Sequence, residues 1–143
     1  MTVSDVKQWL KSYKHIQREI RDIELRITQL RLKYAAPSAI SYSDMPKAHN
    51  NTDLSDYMTK LEEYEQLLIS KHTHCLGLSV QYIQACDKLT FEEAHVIKRR
   101  YLDGASWVQI AGEIPCAERT VYYIHGRALN HLVNVCSSLQ IIL

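Results

Sequence analysis

The chain has 143 residues, and only 7 of them are glycine or proline (4 and 3), too few to turn a sandwich or barrel of this size. Apolar residues at 46% and charged residues at 23% are ordinary for a folded domain. The glycines Gly77, Gly104, Gly112 and Gly126 form neither a GxGxxG nor a GxxxxGK[ST] loop, which excludes those phosphate sites. An all-α fold of a few long helices is expected. The longest apolar runs are a few residues, so no membrane span is expected, and the first residues, Met1-Thr2-Val3-Ser4-Asp5, lack signal-peptide character. A cytoplasmic protein is expected, with Cys75, Cys86, Cys116 and Cys136 as reduced, helix-packing thiols. The net charge of +1 hides an asymmetry: +4 over residues 1–36, −4 over 37–87 and +1 over 88–143.

Along the first segment Val6, Trp9, Tyr13, Ile16, Ile20, Ile23, Ile27, Leu30 and Tyr34 recur at alternating steps of three and four. That is an a/d seam, so this helix packs against another, coiled-coil fashion. Residues 35–52 contain Pro37 and Pro46 and read as a long loop. A second helix is expected from about Asp53 to Cys86, capped by Asn51, Thr52 or Asp53. Its stripe is Leu54, Tyr57, Leu61, Tyr64, Leu68, Cys75, Ser79, Tyr82 and Cys86. Its acidic flank (Asp56, Glu62, Glu63, Glu65) suits the basic first helix, and an antiparallel hairpin follows. His72, His74 and Cys75 sit close in sequence, but residues two apart on a helix diverge by about 200° and cannot share one ion. No metal site and no cofactor are expected.

Residues 88–143 hold two N-terminal helix signatures. Thr90-Phe91-Glu92-Glu93 and Ser106-Trp107-Val108-Gln109 both have capping-box spacing. The first opens a helix through Val96, Ile97, Tyr101 and Leu102, carrying Lys98-Arg99-Arg100 near its end and stopped by Gly104. The second opens a short helix through Ile110, Ala111 and Ile114, ended by Pro115. A third begins near Glu118 and continues through Val121, Ile124, Ala128, Leu129 and Leu132. A short helix and a long one joined by a tight turn make a helix-turn-helix unit, with small Ala111 at the crossing. Domains are expected at 1–87, a hairpin with its loop at 35–52, and at 88–143. The apolar tail from Val133 to Leu143 extends the last helix back onto the hairpin or makes a dimer contact.

The run from Tyr101 to Ile114 (Tyr-Leu-Asp-Gly-Ala-Ser-Trp-Val-Gln-Ile-Ala-Gly-Glu-Ile) resembles the RY-x-x-G-x-S-x-x-E-I-A-x-x-L run of sigma-factor region 4. Thr120-Val121 and Arg127-Ala128-Leu129-Asn130-His131-Leu132 resemble the T-V and R-A-L-x-x-L ending of that family. The layout, with its Ser43-Asp44-Met45-Pro46-Lys47 linker, is similar to phage and prophage transcriptional regulators of the ArpU/RinA type. The resemblance implies sequence-specific binding of double-stranded promoter DNA and activation of phage late genes. The N-terminal helices would dimerise or contact RNA polymerase. By the same alignment Glu118, Arg119, Thr120, Tyr122 and Tyr123 would meet bases. Lys98, Arg99, Arg100, Ser106 and Arg127 would meet phosphates.

Two positions depart from the family pattern. Pro115 stands where glycine is usual, and proline does not suit the positive φ such a turn often needs, so the turn is expected to differ. Ala117 stands where Ser or Thr usually caps the recognition helix, a loss of about 1 kcal/mol. No catalytic constellation is visible, and the chain reads as a regulator, not an enzyme. The alternatives are a small terminase-like DNA-packaging subunit, which usually places its reading head first, and a polymerase- or sigma-binding interaction module.

Overall fold

The computed structural model describes residues 1–35 and 51–141, with side chains given from Asp53 onward in the second stretch. Residues 36–50, with the linker, and the last two residues of the tail lie outside these, as do the side chains of the expected caps Asn51 and Thr52; at the ends of the expected loop, residues 35, 51 and 52 are helical rather than loop. Among the described residues every regular element is helical. The helices are α1 (Val3–Ala35), α2 (Asn51–Cys86), α3 (Phe91–Ile97), α4 (Trp107–Glu113) and α5 (Glu118–Ser138), and α3 runs on into a π-helical turn, Lys98–Leu102. None is long and apolar enough to cross a membrane.

The chain forms two compact units, and neither matches the expected boundary at 87/88. One contains Met1–Gln17 and His74–Leu143, the other Arg18–Thr73. In the smaller unit the seam of α1 continues as buried Ile20, Ile23 and Ile27, with half-buried Leu61, Tyr64 and Leu68 on α2. Tyr34 stacks on Tyr57, Arg31 pairs with Glu65 at 3.4 Å, and Lys71 pairs with Glu19 at 2.9 Å. As residue numbers rise on α1 they fall on α2, so the two segments are antiparallel. The charge pattern is only partly as expected, because Glu19 and Glu24 of the basic helix face Lys71 and His72 of the acidic one. Leu54, placed in the stripe by its spacing, is exposed.

The larger unit has two apolar clusters. The first joins Val6, Trp9 and Leu10 of α1 and Tyr82, Ala85 and Cys86 of α2 to Ile97 and to Ala128, Leu129, Leu132 and Cys136 of α5. Leu10 lies off the heptad seam and is nevertheless 1% exposed, because the helix there is surrounded by more than one neighbour. Tyr82 meets the Trp9 ring edge-on at 4.4 Å, and its hydroxyl donates to the Trp9 carbonyl beside Ser12. Val133, Val135 and Ile141 pack on the same cluster, so the described tail folds inward as the first of its two expected alternatives. The second cluster, Val96, Ala105, Ile110, Ala111, Val121 and Ile124, fixes α4 against α5.

Candidate nucleic-acid interface

The helix-turn-helix pair is built from local signals. Ser106 completes a capping box: its Oγ accepts from the Gln109 amide at 3.2 Å, and Gln109 Oε1 accepts from the Ser106 amide at 3.0 Å. Gly104, at φ +71°, provides the left-handed residue that lets the chain leave the π-helical turn. The Cys116 amide closes the turn after α4 by donating to the Ala111 carbonyl at 3.1 Å. Within that turn Pro115 has φ +20°, so the backbone does pass to positive φ there, contrary to expectation and away from the value its ring prefers. Ala117 caps α5 with no side-chain hydrogen bond, as its methyl group dictates.

Buried Val121, Ile124, Ala128 and Leu129 turn one side of α5 inward and leave the other exposed. Glu118, Arg119 and Thr120 are exposed on its first turn, with Tyr122 49% and Tyr123 69% exposed just beyond. Adjacent helical positions diverge by about 100°, so both rings cannot be core, and here neither is. Arg119 makes no ion pair among the described residues. One turn further, Tyr122, Tyr123, Gly126, Arg127, Asn130 and His131 line a shallow depression of about 490 Å³. A Cβ at Gly126 would meet open space, so the protein's own packing does not require glycine there.

The residues assigned to phosphates have a different environment. Arg99 is held by Glu113, with Nη2 2.6 Å from Oε1 and Nε 3.0 Å from Oε2, while its Nη1 donates to Asp103 at 3.1 Å. His95 Nε2 lies 2.8 Å from the same Glu113. These neighbours hold the Glu113 carboxyl below its ordinary value, Arg99 most strongly. Arg100 donates to the Ala105 carbonyl at 3.1 Å and lies over the Trp107 ring, 4.4 Å from its centre. Arg127 donates to Glu93 at 2.7 Å. Ser106 has its oxygen in the capping box, and Lys98 is half-buried without an ion pair among the described residues. Three of the four expected phosphate-facing cations are thus tied to groups of the protein.

Two arrangements are not evident in the sequence spacing. Glu93 is expected to reach back to Thr90, yet only half of that box forms: Thr90 Oγ1 accepts from the Glu93 amide at 3.4 Å. The Glu93 carboxylate, 0% exposed, turns instead to Arg127 and to His131 Nδ1 at 2.9 Å. Burial pushes this carboxyl up, but the hydrogen bonds from His131 and Arg127 outweigh it and hold the group below its ordinary value. The signal was available, since Arg127 and His131 are four apart on one helix and can grip a single acid. The second arrangement is a ring cluster. Trp107 meets Tyr122 at 5.1 Å and the edge of His125 at 4.8 Å, and His125 Nε2 lies 2.8 Å from the Tyr101 hydroxyl. Burial, then the charges of Lys7 and Arg100, push His125 down to about 4. It is neutral near pH 7, and the cluster seats Tyr122 with its outer half in solvent.

Comparison with protein-family models, with curated proteins and with solved structures finds no match.

Proposed function

We propose that this chain is a sequence-specific DNA-binding regulator of transcription, with α5 entering the major groove. One observation carries the reading. The α4–turn–α5 pair is packed by Ile110, Ala111, Val121 and Ile124, and it leaves Glu118, Arg119, Thr120, Tyr122 and Tyr123 exposed together on α5. A helix of this kind fits the width of the major groove, and side chains on its first two turns reach base edges. Arg119 is suited to guanine O6 and N7, Glu118 to an amino group of cytosine, and the tyrosine rings to thymine methyl groups. The uncapped start of α5 leaves amide N–H groups that suit a phosphate.

The resemblance to sigma region 4 and to ArpU/RinA-type regulators narrows the proposal to activation of phage or prophage late genes in a bacterial cytoplasm. The smaller unit would serve a homodimer or RNA polymerase, and no chemical step is assigned to the protein. Two linked reading heads bind far more tightly than one small head of low net charge. The test is selection from random-sequence duplex DNA followed by sequencing. Enrichment of one motif supports the reading, and recovery of unbiased sequence refutes it. Sizing of the free protein as a monomer or dimer fits a regulator, whereas a closed ring indicates the packaging subunit.

A further inference from the structure

With Arg99, Arg100 and Arg127 engaged inside the protein, the backbone of a bound duplex needs other cations. Lys7, Lys11 and Lys14 follow one another on α1 at steps of four and three, which keeps residues on one helical face. All three are exposed, while Trp9 and Val6 turn away from the row and are buried, and Leu10, one turn from Lys7 and Lys14, is buried along its edge. None makes an ion pair among the described residues. The acid of that stretch, Asp5, is occupied by the Thr2 amide at 2.8 Å and the Thr2 hydroxyl at 2.9 Å. The row spans about 10 Å along the helix axis, a length over which duplex DNA carries about six phosphates.

These turns of α1 belong to the same compact unit as α5. They are also electrostatically close to it. The charge of Lys7 acts on His125, which touches Trp107 and lies one helical turn from Tyr122. The row therefore begins near the ring cluster that seats the exposed face of α5.

We infer that Lys7, Lys11 and Lys14 form the phosphate-binding track of this unit, gripping the sugar–phosphate backbone of duplex DNA while α5 faces the bases. The inference rests on the DNA-binding reading of α5 and moves the electrostatic contact from the C-terminal arginines to α1. The test compares wild type, the triple Lys→Gln variant at 7, 11 and 14, and the triple Lys→Arg variant. Each binds the selected duplex and a random duplex across a salt series. The Gln variant should lose about two to three from the slope of log affinity against log salt, on both duplexes alike, because each phosphate contact contributes about 0.9. The Arg variant should retain the wild-type slope, and all three should melt together, since the replaced groups are exposed. An unchanged slope in the Gln variant, or a loss confined to the selected duplex, overturns this inference and leaves the α5 reading standing. If wild type binds neither duplex, both are overturned.

Discussion

Replacing Glu93 with Gln tests how α3 is tied to α5. The side chain keeps its shape and one acceptor but loses the charge that accepts from Arg127 at 2.7 Å and His131 at 2.9 Å. A hydrogen bond to a charged group contributes about 1.5–3 kcal/mol, which taken twice sets an upper limit of about 3–6. The real figure is lower, because the Arg127 and His131 side chains are 40% and 51% exposed. Freed, both can turn to water, and the expected destabilisation is about 2 kcal/mol by denaturant melts at pH 7. Arg127→Gln should then cost less in the Glu93→Gln background than in wild type, by about 1 kcal/mol. The acid limb also changes. The Glu93 carboxyl is held below its ordinary value, so its contribution is present above the carboxylate range and disappears as pH falls through it. The variant should lose less stability on acidification than wild type. Destabilisation under about 0.5 kcal/mol, with additive double mutants, would refute the view that this cluster braces the unit.

Four further outcomes follow from the same geometry. Arg119→Ala should weaken the selected site by about 1–3 kcal/mol and random duplex far less, by gel shift or fluorescence anisotropy; equal loss on both removes Arg119 from base reading. Gly77→Ala and Gly126→Ala should each raise stability by about 0.5–1 kcal/mol, since a Cβ at either meets open space, but only Gly126→Ala should weaken DNA binding. His125 is pushed down to about 4 from an ordinary 6.5, so the unfolded chain takes up its proton first and stability falls as pH drops across that window. His125→Phe, followed by melting from pH 7 to 4, should lessen that fall. In the native state Cys75 and Cys116 should react with a thiol reagent well before Cys86 and Cys136, which are buried, with burial pushing the Cys86 thiol up to about 11.

Helix positions were legible where the cause is local. The three-four seam of α1, the capping box at Ser106, the stop at Gly104 and the bare cap at Ala117 each depend on residues within a turn or two, and each appears at its expected place. The division into units was not legible. The seam runs through Ile16 and Ile20 without a break in period, although the first lies in the larger unit and the second in the smaller. Periodicity reports that a face is covered, not by what. Leu10 shows the same limit: it is off the seam and buried because the cluster around it includes residues of α5. Glu93 fails for a related reason, since a capping-box spacing allows a carboxylate to reach back but does not compel it. Here Arg127 and His131, on a helix 34 and 38 residues away, compete for it and prevail.

The cations of the C-terminal segment show that charge read from sequence does not tell which groups already have partners within the protein. Residues 88–143 have a net charge of +1, but net charge does not distinguish a bound cation from a free one. Arg99 shares its guanidinium between Glu113 and Asp103, Arg127 is held by Glu93, and Arg100 is stacked on Trp107. To meet a phosphate, each must first abandon a partner, and for Arg127 that leaves the buried Glu93 carboxylate without its guanidinium. The tied arginines instead hold α3, its π-helical turn, α4 and α5 in register, which is what aims Arg119 and the two tyrosines. On the proposed reading the segment would meet a groove with little net charge, provided the long-range attraction comes from elsewhere in the same unit. On the inference drawn above, Lys7, Lys11 and Lys14, which make no ion pair among the described residues, would supply it. On this account charge removed from Arg99 should appear first as lost stability, and charge removed from Lys11 first as lost salt dependence.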